Sequence, residues 1–480
     1  MKVLFTISFF INATLVFSQV SIGVLEKEKI NKDADRPNIL FIYTDQQGAN
    51  MMSCAGNKWL NTPAMDYIAQ NGVRFTRAYT PNPACPPAKI GVLTGRLPSF
   101  FKGINGEEVR NNKEAREIAP LSKEVLQTNM ASFLKKGCYE LLYGGKEQLP
   151  TSLSPSEIGF RDFSNNERLE LAKLAAKEIE VEHKKPWFMM VSFVNPHDIC
   201  YMAVRESMKS EEQKKRFKKG HIEIVTLDNA LKIPDGVSRE DFFKLYCPPL
   251  PENYEPQFEE PEAIKNLLNS IPFRKNAREN FTDGQWRMHR WAYCRLVEHV
   301  DHQIQIILDA LKESGQEHNT IIMLSSDHGD MDASHRMEHK SMLYEEAVNV
   351  PFLAMWKGHI PAGLVNNKNL ISNGLDLFPT VCDYIGVEGG ADIRGRSLKP
   401  LFEDKKVDWR KTLGVESEIG KMVVDEDGFK YLRYDLGSIE EQLLDLNIDP
   451  FETTHFTKDA DYELSLIHIS EPTRLNSTSR

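Results

Sequence analysis

Four apolar runs of this 480-residue chain end abruptly in residues able to bind a metal, hold an anion or move a proton. ILFIYTD (39–45) closes on Asp45, YELLYGGK (139–146) on Lys146, WFMMVSFVNPH (187–197) on His197, and TIIMLSSDH (320–328) on Asp327 and His328. Each run has the near-continuous apolar character of a strand buried on both faces. Open α/β sheets place ligand sites beyond the carboxyl ends of their strands, so the four segments aim this chemistry at one rim. A fifth segment, PACPPAKIGVLTGR (83–96), sets Cys85 just before a helix expected to begin at Pro86 or Pro87. The N–H groups and dipole at such a helix start favour negative charge, which suits a nucleophile that handles an anion.

The rest of the chain supplies elements to hold these residues. Hydrophobic residues make up 41% and charged residues 27%, with 28 Gly and 25 Pro, an ordinary globular composition that excludes fibrous and disordered classes. Apolar runs alternate with helical stretches, which predicts a largely parallel sheet with helices on both faces. Helices are expected from Thr62-Pro63 to Gly72, over 123–136 before Gly137, and over 284–314 before Gly315. Between 201 and 283 the pattern dissolves into charged and Pro-rich sequence, including KKRFKK (214–219) and CPPLPENYEP (247–256). It reads as a long irregular insertion that shapes a pocket, with the basic run as a solvated helix face. After WRK (409–411), KMVVDEDGFKYLRYD (421–435) reads as a hairpin in a small antiparallel subdomain.

Charge and termini bound the setting. Lys and Arg number 59 against 69 Asp and Glu, so a net charge of −10 gives no overall field for nucleic acid. Met1, Lys2 and the run VLFTISFFINATLVF read as a signal peptide over 1–18, predicting export to a periplasm or medium with no stable membrane anchor. The tail LSLIHISEPTR resembles translated adapter sequence, so 464–480 is expected to be non-native. The expected units are therefore a catalytic domain over 36–408 and a C-terminal subdomain over 409–463. Seven scattered Cys show neither a disulfide framework nor zinc-finger spacing.

Taken with its neighbours, the 83–96 segment resembles the signature of type I sulfatases, formylglycine-dependent members of the alkaline phosphatase-like superfamily. Cys85, Pro87 and Leu93-Thr94-Gly95-Arg96 carry the match, and RPNILFIYTDQQ (36–47), GGK (144–146), NPHD (195–198) and SSDHGDMDASHRMEHK (325–340) resemble further family segments in order. The resemblance implies an alkaline phosphatase-like α/β fold and hydrolysis of sulfate esters, most readily of a sulfated carbohydrate. It implies that a maturation enzyme converts Cys85 to formylglycine, whose hydrate attacks sulfur and frees sulfate by reverting to aldehyde.

It also implies roles for single residues. Asp45, Gln46, Asp327, His328 and the modified Cys85 would hold a divalent ion, calcium by family expectation and magnesium or manganese as alternatives, in an oxygen-rich site with one nitrogen ligand. Lys89, Lys146 and Lys340 would neutralise the sulfate, and His197 or Lys340 would protonate the leaving oxygen. His335 is assigned a substrate-facing role, while Glu338 and His339 read as loop surface. Three residues depart from the family pattern: Ala88 replaces a Ser, Lys89 replaces an Arg, and Gln148 stands where the family places a His. Lysine at 89 keeps the charge without the planar fork, and Gln148, set beside substrate, cannot accept a proton, so slow enzyme regeneration is expected. Phosphonate monoester and phosphodiester hydrolases of the same superfamily, and a catalytically degenerate glycan binder, are the alternative readings.

Overall fold

The computed structural model of the chain describes residues 36–111, 117–166, 168, 170–390 and 393–456. The expected signal peptide and the adapter-like tail lie outside these residues.

An eight-stranded sheet forms the centre. Across it run Arg161–Ser164, Glu140–Gly145, Trp187–Pro196, Asn38–Asp45, Thr320–Ser326, Phe352–Met355, Val73–Phe75 and Leu364–Asn366. All neighbours pair in parallel except Phe352–Met355, which is antiparallel to both strands beside it. The four strands read from the sequence are thus adjacent, with Asn38–Asp45 paired to Trp187–Pro196 on one side and to Thr320–Ser326 on the other. Each is buried on both faces, because successive side chains enter opposite layers. Ile39, Phe41 and Tyr43 pack on one side with Ile90, Leu93, Phe133 and Phe378. Leu40 and Ile42 pack on the other with Ile68, Ala175, Val297 and Ile304.

The helices supply those layers. Pro63–Gln70 starts with proline at its first position, and Asp283–Glu313 starts with a capping box in which Thr282 and Gln285 satisfy each other's backbone N–H groups. The expected single helix over 123–136 is two, Lys123–Gln127 and Met130–Lys136, because the Asn129 side chain accepts from Ser132 N and starts a new helix. The insertion also departs from expectation. It is largely helical, with Cys200–Glu206, Glu211–Gly220, Ile222–Ala230, Glu262–Ser270 and Pro272–Asn280. Its prolines sit where helices tolerate them: Pro261 caps one helix and Pro272 opens the next.

A second, four-stranded antiparallel sheet follows in the order Thr412–Ser417, Gly420–Asp425, Phe429–Tyr434 and Glu441–Asp445. The hairpin around Asp425–Gly428 pairs Val424 with Lys430. Among the described residues no helix is long and apolar enough to cross a membrane.

Candidate active site

Strand ends, one helix start and one strained loop build the site. Asp45 ends its strand, and the chain then turns at Gln46, whose φ is 72°. Tyr293 OH donates to Gln46 O at 2.6 Å, while Gln46 N–H and His328 N–H both donate to Asp327 Oδ1, at 3.0 and 2.9 Å. Those bonds hold the two neighbouring strand ends in register. Lys146 follows Gly145, where φ is 101° and a Cβ would lie 2.1 Å from Ser192 O, so only glycine permits the turn that aims this lysine. Cys85 is itself the first residue of the helix Cys85–Thr94.

Lys340 arrives on a loop in which Asp332, Ala333, His335, Arg336, His339 and Ser341 all take positive φ, between 44° and 78°. Non-glycine residues adopt this region only where surroundings impose it. Here Met331 N–H donates to His339 O at 2.9 Å, His335 N–H to Asn253 O at 2.6 Å, and Ser341 N–H to Pro83 O at 3.0 Å.

These elements bring Asp45, Cys85, Asp327 and His328 together, with one ligand atom from each inside 4.8 Å of the others, and all four buried. Cys85 Sγ lies 3.2 Å from His328 Nε2 and 3.4 Å from Asp45 Oδ1, and Lys340 Nζ donates to it at 2.6 Å. Lys89 Nζ and Lys146 Nζ meet Asp45 Oδ2 at 2.9 and 2.8 Å, and Lys89 also faces Asp327 Oδ2 at 3.6 Å. Burial would raise the Asp45 carboxyl, but Lys146 and Lys89 outweigh it and hold the group well below the usual range. Burial and the charge of Asp45 push Asp327 the other way. Desolvation would lower Lys340, but the acidic cluster it faces, Asp45 above all, offsets that and raises it, so the ammonium remains charged. His197 is driven well below its ordinary value by burial and Lys146, so it is neutral.

The donor set fits a hard divalent cation. Gln46 Nε2 donates to Asp330 Oδ2 at 2.6 Å, which fixes the amide and leaves the buried Gln46 Oε1 without a partner. His328 Nδ1 faces Gly329 O at 2.8 Å and donates to it, so Nε2 presents its lone pair to the cluster. Two carboxylates, an unfilled amide oxygen and an imidazole lone pair are a chemically complete invitation to such an ion.

Of the other residues singled out by sequence, His197 follows directly on Pro196 at the strand end, and its ring centroid lies 6.1 Å from that of His339. His335 and Gln148 do not join the cluster. His335 is buried, stacked on Tyr344 at 4.3 Å and tied to Asn253; Gln148 is exposed at a positive-φ turn. Glu338 and His339 are not loop surface: they are 1% and 7% exposed, covered by the insertion helix Pro272–Asn280, whose Phe273 meets the His339 ring edge-on at 5.7 Å. Asp330 and Tyr293, which hold Gln46, escaped the sequence reading. DHGD hints at Asp330, but nothing local marks a tyrosine in the middle of a long helix.

Residues 37–387 match the family described as Sulfatase, and residues 333–471 that described as N-sulphoglucosamine sulphohydrolase, C-terminal. The chain is 25% identical to an arylsulfatase of Clostridium perfringens, over 89% of this chain and 92% of that protein. It is 26% identical to a Delta 4,5-hexuronate-2-O-sulfatase of Bacteroides thetaiotaomicron, over 89% and 86%. A solved 2-O GAG sulfatase superposes with a TM-score of 0.74 at 24% identity, covering 92% of this chain and 91% of the other. That likeness establishes the fold as alkaline phosphatase-like.

Proposed function

The chain belongs to the sulfatase family and is a sulfuric ester hydrolase, and from that premise we propose that its substrate is a sulfated carbohydrate met after export, and its nucleophile a formylglycine made from Cys85. The observation that carries the reading is the meeting of Asp45, Cys85, Asp327 and His328 inside 4.8 Å, ringed by Lys89, Lys146 and Lys340. A carbohydrate is favoured because one relative is named for a sulfated hexuronate. Export rests on the leader-like residues 1–18, and the division into a catalytic domain over 36–408 and a subdomain over 409–463 goes with it as part of the same reading.

An unmodified Cys85 makes a poor nucleophile. Burial and Asp45 push its thiol up to about 12, against the pull of Lys340, so it stays protonated at neutral pH. Formylglycine at this position would supply, as its hydrate, a hydroxyl able to attack sulfur and a way to free sulfate by reverting to the aldehyde. A divalent cation, calcium or else magnesium or manganese, would be held by Asp45, Gln46, Asp327 and His328, and when bound would polarise the nucleophile and neutralise charge.

The remaining work falls to this chain's own side chains. Lys89 and Lys146, both kept charged by Asp45 despite burial, hold sulfate oxygens where negative charge accumulates. Lys340 sits within hydrogen-bond reach of the reacting atom of residue 85 and carries a proton for the departing sugar oxygen. Neutral His197 orients that oxygen through a hydrogen bond. The tight burial of the cluster excludes bulk water, which strengthens each of these interactions.

The test is sulfate release from a panel of sulfated saccharides, using protein co-expressed with a maturation enzyme and supplied with calcium. Release, with an aldehyde at residue 85 by mass spectrometry, is the expected result. Faster hydrolysis of an aryl phosphodiester than of any sulfate would favour the phosphonate and phosphodiester hydrolases instead. An intact thiol in protein from its native host would favour a glycan-binding role.

A further inference from the structure

The insertion helix Pro272–Asn280 carries two arginines one turn apart, and their surroundings are opposite. Arg278 is fully engaged: Nη1 donates to His335 O at 2.7 Å, and Nη2 to the two oxygens of Glu260 at 2.8 and 2.9 Å. Arg274 is 4% exposed, yet its Nε and Nη1 have no hydrogen-bond partner. Among the described residues no carboxylate comes within the 4.0 Å of an ion pair with it. A buried guanidinium with no hydrogen bond on two of its nitrogens, its charge offset only at longer range by Glu338, Glu418 and Asp330, is a costly arrangement, so it implies a group that completes it.

The neighbours of Arg274 are open as well. Both carboxyl oxygens of Glu338 and the Nδ1 of His339 are buried without hydrogen-bond partners, Glu338 Oε2 and that Nδ1 facing each other at 3.7 Å, beyond hydrogen-bond reach. Burial pushes Glu338 up to about 7 and, together with Arg274, holds His339 well below its ordinary value. Unmet donors and acceptors therefore stand side by side, with Arg274 the one permanent charge among them. Their place in the fold is specific. The His339 ring bridges Phe273, at 5.7 Å, and His197, at 6.1 Å, and the next residue, Lys340, is the one whose ammonium reaches Cys85 Sγ. The open group thus borders the reaction site on the side covered by the insertion, where His197 is partly exposed.

We propose that Arg274 binds a second anionic substituent of the substrate sugar, a carboxylate or a further sulfate beside the one removed, while Glu338 and His339 bind hydroxyls of the same ring. The inference rests on the sulfatase reading of the Cys85 site and narrows its substrates to saccharides carrying two negative groups. A guanidinium suits either substituent, because its planar fork matches two oxygens of a carboxylate or of a sulfate.

Binding tests this without turnover. In the full chain carrying Cys85→Ala, calorimetry compares a neutral sugar monosulfate, the same sugar with a second sulfate, and a sulfated uronate. At least one doubly charged sugar should bind about tenfold or more tighter than the monosulfate, a margin a bidentate charged contact supplies. Whichever of the two holds that margin identifies the substituent. Adding Arg274→Met should reduce the preference to within about twofold, and Arg274→Lys should retain part of it. Equal affinity for all three sugars, or a preference that survives Arg274→Met, overturns the proposal. Thermal unfolding gives a second reading: removal of a buried charge that has no direct ion pair should leave Tm unchanged or higher, whereas a clear drop, or failure to fold, marks Arg274 as a structural partner of Glu338 and overturns it too. Sulfate release by the matured Cys85 protein is measured separately, and its absence speaks only against the sulfatase reading.

Discussion

Lys340 Nζ lies 2.6 Å from Cys85 Sγ, although 255 residues separate them. Backbone rather than side-chain reach sets the contact. Ser341 N–H donates to Pro83 O at 3.0 Å, and Ser417 Oγ, from the C-terminal sheet, donates to Ser341 O at 2.5 Å. The loop from Asp332 to Ser341 accepts several strained backbone conformations, and these bonds hold it to them. The second sheet therefore helps to aim the lysine at the reacting atom, besides covering hydrophobic surface.

If Lys340 protonates the leaving group, its loss should depend on how much that group needs a proton. Lys340→Met should lower kcat on a sugar sulfate by about 10²–10⁴-fold, the usual contribution of a positioned acid. On an aryl sulfate with an acidic phenol as leaving group the loss should be much smaller. Parallel kcat measurements on the two substrates decide the matter, because equal losses would confine Lys340 to charge neutralisation. Cys85→Ala should abolish turnover of both.

Lys89 joins the two carboxylates, 2.9 Å from Asp45 Oδ2 and 3.6 Å from Asp327 Oδ2. Removing it leaves two buried acids with less to offset them, and breaking such a cluster costs about 3–5 kcal/mol. Lys89→Met should therefore lower Tm in chelator by several degrees, and calcium should raise the variant's Tm more than it raises that of the parent. Equal calcium increments in a two-way melting comparison would show that the ion does not sit between these carboxylates.

What could be read from sequence follows from what is local. Strands buried on both faces announce themselves through unbroken apolar runs, so the placing of Asp45, Lys146, His197, Asp327 and His328 at or just past strand ends was legible from the sequence. Cys85 stood out through the company of Pro87 and Leu93-Thr94-Gly95-Arg96, since a lone cysteine at a helix start reads first as inert. Glu338 and His339 were misread because polar residues in a glycine- and histidine-containing loop look exposed; their burial comes from a helix more than fifty residues upstream, which no local pattern records. Asn129 split a predicted helix through one side-chain cap. Gln148 was read by its place in a motif, and it lies exposed at a turn of positive φ.

Asp301 gives the fold a pH-dependent element away from the site. It accepts from Ala64 N–H and Met65 N–H, at 3.1 and 2.8 Å, anchoring the start of the helix Pro63–Gln70. Burial nevertheless pushes its carboxyl up to about 6. A raised value means that the folded chain holds the proton more tightly than the unfolded one. Between about pH 4 and pH 6 the unfolded chain has released that proton and the folded chain has not, so this residue's contribution falls as pH rises and is level above about 6. Asp301→Asn should remove that slope, worth on the order of 3 kcal/mol across the window. Urea unfolding of both proteins at several pH values between about 4 and 7 checks it, and parallel pH profiles would mean that Asp301 ionises normally.

Asp330 sets which atom of Gln46 faces the carboxylate cluster. A carboxylate can only accept, and Asp330 accepts three times: from Gln46 Nε2 at 2.6 Å, from His339 N–H at 3.0 Å and from Asp332 N–H at 2.7 Å. The amide therefore has one orientation, with its buried oxygen left without a partner. Gln46 Nε2 and His339 N–H share Oδ2, while Asp332 N–H uses Oδ1. In Asp330→Ala the acceptor that pins the amide is gone, so Gln46 can turn its NH2 toward the cation as readily as its oxygen. Calcium affinity measured by calorimetry should fall about 10–100-fold, the usual cost of losing a group that orients a ligand. Gln46→Glu in the same background should recover binding, since a carboxylate presents an oxygen in either rotamer. Unchanged affinity in Asp330→Ala would remove Gln46 from the ligand set and leave the cation to Asp45, Asp327, His328 and residue 85.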